Sequence, residues 1–132
     1  MQTLQAPGWP RPRGYANGIA AEGRMIFVAG QVGWDETETF RATDFAGQAE
    51  QALRNICAVL AEAGARPEHL VRLTWFVTDK ADYLASLKET GVAYRRVIGA
   101  HYPVMSLIEI KGLYEAGAKL EIEATAVLPQ GG

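Results

Sequence analysis

The chain has 132 residues, 48% of them hydrophobic and 21% charged, and its formal net charge at pH 7 is −2. This length predicts one domain over residues 1–132 that folds without a metal or a disulfide, since a chain of this size buries roughly two-thirds of its unfolded surface. The small negative charge argues against nucleic acid or an anionic membrane as partner, and no apolar window has the length of a membrane span.

Residues 6–14 contain three prolines and predict an extended surface segment. A short edge strand is expected within residues 15–21. A stronger strand is predicted over residues 24–32, because residues 25–29 form a nearly continuous apolar run. Gly30 within this strand indicates a bulge or a close approach of the backbone to another group.

The clearest helix is predicted over residues 44–63, with Thr43 or Asp44 as its cap and Gly64 after its end. Its apolar residues recur at three- and four-residue steps: Phe45, Ala49, Ala52, Leu53, Ile56, Leu60 and Ala63. Cys57 lies near this stripe and is expected to be a small core residue. As the single cysteine, it excludes an internal disulfide. With the absence of a signal-peptide pattern, it predicts a cytoplasmic protein.

Residues 70–78 alternate and predict a strand. A second helix is expected to begin at Asp79 or Asp82 and to reach about Ile98, with Gly99 at its end. Arg95 and Arg96 are expected on its exposed side.

Two final strands are predicted over residues 102–110 and 119–127. The second carries Glu121 and Glu123 at alternate positions on one face. Two interpretations stay open: a solvated strand face, or the wall of a pocket in which one carboxylate positions or activates a water. Glu109 shares this ambiguity.

The element order is therefore β-β-α-β-α-β-β, an α/β (α+β) arrangement of one sheet with two helices packed on one face. The other face mixes apolar residues with polar ones, which indicates association of subunits around it. The polar set is Arg72, Thr74, Glu121, Glu123 and Thr125.

Few residue patterns point to a particular chemistry. His69 and His101 are isolated, so no metal site is predicted. No Gly-rich phosphate or dinucleotide motif follows a strand. Ser106 has no histidine at a spacing that indicates a hydrolase triad.

Six segments in order resemble the RidA/YjgF family of imine and enamine deaminases, over essentially the whole chain. They are Gly14-Tyr15-Ala16-Asn17-Gly18, Ile26-Phe27-Val28-Ala29-Gly30-Gln31, residues 48–56, residues 60–64, residues 71–79 and residues 120–126. The resemblance implies a single RidA-like domain with a chorismate-mutase-like mixed sheet. It also implies a homotrimer whose sheets surround a central barrel, with substrate pockets at the subunit clefts. Members typically hydrolyse 2-imino or 2-enamino acids without a metal or organic cofactor.

Site residues carry over by position. Tyr15 and Glu121 match the family's tyrosine and glutamate, which help to place the attacking water. Leu107 stands where the backbone contacts substrate. Ala29 replaces a common serine before Gly30, and Ala29 and Gln31 are both expected to line the substrate site.

Met105 stands where the family has an arginine that binds the substrate carboxylate. Its loss predicts poor activity on small 2-imino acids such as 2-iminopropanoate, because a hydrogen bond to a charged group is worth roughly 1.5–3 kcal/mol. The pocket is then expected to take a larger or more apolar substrate, an aminomuconate among the possibilities, with any carboxylate held by Arg72 or by a neighbouring subunit. The alternative is a non-catalytic trimer that binds a small metabolite in the same cleft. An RNA-directed activity is disfavoured by the net charge.

Overall fold

The computed structural model describes residues 1–130. Its strands are β1 (Gln2–Leu4), β2 (Gly18–Ala20), β3 (Arg24–Val32), β4 (Leu70–Val77), β5 (Val104–Glu109) and β6 (Leu120–Leu128). Its α-helices are α1 (Phe45–Glu62), α2 (Lys80–Ala85) and α3 (Leu87–Val97).

The main sheet has four strands in the order β3-β6-β4-β5. The β4–β5 pair is parallel, whereas β6 runs antiparallel to both β3 and β4. A parallel pair requires a crossover, and α2 and α3 supply it. The predicted class, helices packed on one face of a mixed sheet, is confirmed.

The core lies between this sheet and α1, which begins after Asp44, one of the two predicted caps. The Asp44 carboxylate accepts a hydrogen bond from the backbone N–H of Gly47 at 3.1 Å. The apolar stripe of α1 packs against Leu73 and Ile122 of the sheet. Within residues 1–130, no helix is both long and apolar enough to cross a membrane.

The N-terminal region differs from the prediction. The strand expected within residues 15–21 forms over Gly18–Ala20, but it pairs with β1 in a separate two-stranded sheet. The sequence does not indicate β1, because its three residues are all exposed and show no alternation of burial.

The second predicted helix is divided in two at Ser86. The backbone of Ser86 leaves the helical region at φ −115° and ψ 20°. Its hydroxyl donates to the carbonyls of Asp82 and Tyr83, at 3.0 and 3.2 Å. Such local side-chain hydrogen bonds compete with a continuous helix, which accounts for the break.

The face of the sheet away from the helices carries the polar residues that the alternation predicts. Thr74 lies beside Glu123 on neighbouring strands. Large apolar side chains lie on the same face, and Phe27, Met25 and Ile108 are 71%, 58% and 45% exposed. We call this surface the open face.

Candidate functional site

A cavity of about 360 Å³, which we call the α3–β5 pocket, lies between helix α3 and edge strand β5. This volume is within the range of small-ligand sites. The lining residues are Gly14, Trp75, Tyr83, Leu87, Thr90, Gly91, Tyr94, Arg95, Tyr102, Met105 and Leu107.

Strand register directs Met105 and Leu107 into this pocket. They pair with Leu73 and Trp75 of β4, whose side chains are buried beneath the helices. Paired residues in a sheet share a face, so Met105 and Leu107 also point toward the helix layer. On the opposite wall Gly91 has no side chain, and a Cβ built there would meet nothing within 4 Å.

The pocket walls are largely aromatic. The rings of Tyr94 and Tyr102 stack with centroids 5.3 Å apart and an interplanar angle of 11°. The Tyr94 hydroxyl donates to the carbonyl of His101 at 2.7 Å. Burial raises the pKa of Tyr94, and burial also raises the pKa of Tyr83. Both hydroxyls therefore stay neutral, and these walls carry no charge.

Among the described lining residues, Arg95 is the one that carries a charge. It forms no ion pair within residues 1–130, whereas its neighbour Arg96 pairs with Glu50. A second polar group in the pocket lining is also without a partner. Trp75 is 3% exposed, and its indole N–H has no hydrogen-bond acceptor.

The sequence correctly predicts that Arg95 is exposed, but not that it lines a pocket. The available signal was its spacing, since Leu87, Gly91 and Arg95 follow one another at four-residue steps on a single helix face. This face forms a pocket wall because β5 lies opposite it, and the spacing along the helix does not indicate that strand.

A smaller cleft of about 170 Å³ lies where the N-terminal segment meets the start of β5. It is lined by Tyr15, Ala16, Asn17, Arg72, Val104, Met105 and Ser106. The N-terminal segment is held there because the backbone N–H of Ala16 donates to the carbonyl of Pro103 at 3.0 Å. The structure thus brings together three predicted site residues, Tyr15, Arg72 and Met105, and Met105 lines both cavities.

Glu121 lines neither of these two cavities. It is opposite Phe76 of β4, which pairs with Ile108 of β5. Met105 precedes Ile108 by three residues. With strands about 4.8 Å apart and about 3.3 Å per residue, the backbones of Glu121 and Met105 are roughly 14 Å apart. Because three is an odd number of steps, their side chains also point to opposite faces of the sheet.

Ala29 and Gln31 flank Gly30 on β3, at an irregularity of the β3–β6 register. The Gln31 side-chain amide donates to the carbonyl of Ala29 at 3.1 Å. A Cβ at Gly30 would lie 2.6 Å from Cδ of Glu121. The predicted bulge and close approach at Gly30 are both present, and Glu121 is the group that approaches.

Two other candidate side chains have structural contacts. The Glu109 carboxylate accepts a hydrogen bond from the backbone N–H of Lys80 at 2.7 Å, at the start of α2. Cys57 is half-buried against the core, and burial raises the pKa of its thiol. No group of three or more potential metal ligands occurs in the described part of the chain.

The sequence matches the family model described as Endoribonuclease L-PSP over residues 10–128. It is 34% identical to the 2-iminobutanoate/2-iminopropanoate deaminase of Salmonella typhimurium, over 96% of this chain and 95% of that protein. It is 32% identical to the putative reactive intermediate deaminase TdcF of Escherichia coli K12, with the same coverage of 96% and 95%.

Solved structures show the same fold. The conserved Rid-family protein YyfB of Yersinia pestis superposes with a TM-score of 0.85 at 29% identity, covering 96% of this chain and 98% of that one. E. coli TdcF with bound serine superposes with a TM-score of 0.69 at 31% identity, covering 93% of each chain.

Proposed function

The chain belongs to the endoribonuclease L-PSP family, which includes the RidA/YjgF proteins, and from this membership we propose that it is a cofactor-independent hydrolase that deaminates a reactive imine or enamine metabolite. The observation that carries the proposal furthest is the α3–β5 pocket, which has the volume of a metabolite site and contains the family-matched positions Met105 and Leu107. Relatives over nearly the full length are named as imine deaminases.

The reaction is hydrolysis of a C=N bond. Water adds to the imine carbon while the C=N electron pair moves to nitrogen, and the resulting carbinolamine collapses to a ketone and ammonia. Glu121 would accept a proton from the attacking water and return it to the leaving amine. Tyr15 lines the smaller cleft, which shares Met105 with the α3–β5 pocket, and from there it would donate a hydrogen bond to the same intermediate.

Glu121 is too far from Met105 to act on the same molecule within one chain. We therefore place the site between subunits of a homotrimer, with Glu121 from one copy facing the pocket of the next. The exposed apolar side chains of the open face, Phe27, Met25 and Ile108, support this association, because large apolar groups left exposed on one face are typical of protein interfaces.

The preferred substrate is a small molecule other than 2-iminopropanoate, on which we expect poor activity. Met105 offers no positive charge for a carboxylate, and its thioether is only a weak acceptor. Although the family model is described as an endoribonuclease, the net charge of −2 supplies no general attraction for RNA.

The test is ammonia release from imines generated in situ by an amino-acid oxidase, together with aminomuconate-type enamines. We expect acceleration by the wild-type protein and a loss of roughly 10²–10⁴-fold in Glu121→Ala, the usual contribution of a general base. Glu123→Ala is the matched control, because Glu123 lies two residues away on the same face.

Full activity in Glu121→Ala would remove the role assigned to that carboxylate. No acceleration with any imine or enamine would contradict the deaminase proposal. Thermal stabilisation by a metabolite that is recovered unchanged would then support the non-catalytic alternative.

A further inference from the structure

We propose that Arg95 holds the substrate carboxylate in place of the arginine missing at Met105, and that the α3–β5 pocket thereby selects carboxylates with an aromatic or similarly large apolar side chain. This inference rests on the proposed function for its reaction. It concerns a residue of α3 that the family resemblance does not assign.

The α3–β5 pocket has one charged side chain among its described lining residues, and this side chain identifies the group that would bind a carboxylate. Arg95 supplies the pocket's positive charge and has no carboxylate partner within residues 1–130. A guanidinium is a planar donor that matches a carboxylate with two parallel hydrogen bonds. Arg96, one residue along, is already paired with Glu50. Of these adjacent arginines, Arg95 is therefore the one available to an anionic ligand.

The apolar walls of the pocket determine which side chain the bound carboxylate should have. A ligand anchored by Arg95 lies beside the stacked rings of Tyr94 and Tyr102 and opposite Met105 and Leu107. Aromatic rings and a methionine sulfur both pack favourably on an aromatic ligand. A three-carbon imino acid reaches few of these groups, so it gains little from a cavity of about 360 Å³.

Trp75, in the same pocket lining, has an indole N–H that needs a hydrogen-bond acceptor. Its buried indole N–H has no acceptor among the described residues, and buried donors normally have a partner. A ligand oxygen is a partner that the chain itself does not provide. The preferred ligand is thus apolar along most of its length and carries oxygen acceptors at one end.

Arg72 is the rival anchor, and its surroundings differ. It lies in the smaller cleft of about 170 Å³ beside Tyr15 and Asn17. A ligand held there meets a polar wall and a smaller volume, which suits a short polar acid. The two arginines therefore predict opposite selectivity.

Binding of inert analogues tests the pocket without requiring turnover. In isothermal titration calorimetry we expect 3-phenylpropionate to bind, its neutral amide to bind at least tenfold more weakly, and propionate to give no detectable heat. Arg95→Met keeps an apolar stem and removes the charge, so it should weaken 3-phenylpropionate about 10- to 100-fold, the range for a hydrogen bond to a charged group.

Arg96→Met is the matched control and should bind like the wild type. Equal binding of acid and amide, or wild-type affinity in Arg95→Met, would overturn the inference. Loss of binding in Arg72→Met with full binding in Arg95→Met would also overturn it and assign the anchor to the smaller cleft.

Measurements of imine hydrolysis distinguish a failure of the Arg95 proposal from a failure of the deaminase proposal. We expect the imine of phenylalanine to be hydrolysed with a higher kcat/KM than the imine of alanine, and Arg95→Met to raise KM for the former more than it lowers kcat. If both imines are hydrolysed with equal kcat/KM, and Arg95→Met leaves these values unchanged, the role assigned to Arg95 is wrong while the deaminase proposal stands. If 3-phenylpropionate binds through Arg95 but no imine is hydrolysed, the role of Arg95 in the pocket stands and the deaminase proposal is wrong.

Discussion

The Glu121 carboxyl group lies directly against the backbone of Gly30, at a distance that no residue with a Cβ permits. A Cβ at position 30 would be 2.7 Å from Oε2 and 2.8 Å from Cγ of Glu121. The atoms that would have to move belong to a flexible side chain. A small substitution at Gly30 therefore moves Glu121 without disturbing the fold.

Gly30→Ala is expected to lower kcat/KM for imine hydrolysis about 100-fold while leaving the melting temperature nearly unchanged. A displacement of about 1 Å in a catalytic group costs on the order of 10²-fold in rate. The measurement is ammonia release, with a thermal melt of the same samples.

Gly112→Ala is the control for this substitution, since a Cβ at Gly112 meets nothing within 4 Å. Wild-type turnover in Gly30→Ala would show that the observed position of Glu121 is not the one that matters. A large drop in melting temperature would show that the strand, rather than the side chain, had moved.

Part of this arrangement is predictable from the sequence. A glycine within an apolar strand indicates a close approach at Gly30, but no local pattern identifies Glu121 as the group that fills the space. The two positions are 91 residues apart along the chain, and they meet only through the β3–β6 pairing.

At the scale of elements, Gln48 joins α1 to the connection that leads into β6. Its side chain is 2% exposed. The amide nitrogen donates to the carbonyls of Ala42 and Gly117, at 3.2 and 3.0 Å. The amide oxygen accepts from the backbone N–H of Lys119 at 2.8 Å. One side chain thus satisfies three backbone groups on two segments.

Gln48→Met should lower the free energy of unfolding by about 2–3 kcal/mol. Methionine has a similar volume, but it leaves these backbone groups without their partner, and an unsatisfied buried group costs about 1–3 kcal/mol. Urea denaturation followed by circular dichroism measures the change.

The same substitution at the exposed residue Gln2 is the control and should stay within about 0.5 kcal/mol of the wild type. A loss no larger than this in Gln48→Met would mean that water replaces all of the lost hydrogen bonds.

Helices and strands were predictable from the sequence to different degrees. The stripe of α1 and the cap at Asp44 are local signals, and both predictions hold. The break at Ser86 was not predicted, because apolar residues continue at helical spacing through Leu84, Leu87 and Gly91 on both sides of it. The hydroxyl of Ser86 interrupts the helix, whereas the helical spacing of the apolar residues continues across the break.

At the scale of the whole molecule, the open face is a side of the main sheet on which several large apolar residues are exposed. Its apolar side chains include Phe27, Met25 and Ile108, on the two edge strands of the main sheet. Subunit association was predicted from the alternation of polar and apolar residues on this face. The positions of its exposed aromatic and aliphatic groups support that prediction.

Phe27→Asp is expected to dissociate the proposed homotrimer, because it places a charge from each subunit in the apolar interface. Multi-angle light scattering at micromolar concentration should give about 43 kDa for the wild type, three times the chain mass of 14.3 kDa, and the monomer mass for the variant.

Tyr114→Asp serves as control, since Tyr114 is 98% exposed outside the sheet, and it should keep the wild-type mass. Circular dichroism establishes whether Phe27→Asp remains folded. A monomeric wild type, or a folded Phe27→Asp variant with the trimer mass, would contradict the proposed assembly.

The position of β6 has a consequence for how the protein is made. β6 follows both β3 and β4 in sequence, yet it lies between them in the sheet. During synthesis neither earlier strand has its antiparallel partner until residues 120–128 leave the ribosome, and β3 pairs across about ninety residues of intervening chain. Pairing over such a separation slows folding, and the unpaired strands are prone to aggregation meanwhile. Folding is therefore expected to complete only after translation has passed β6.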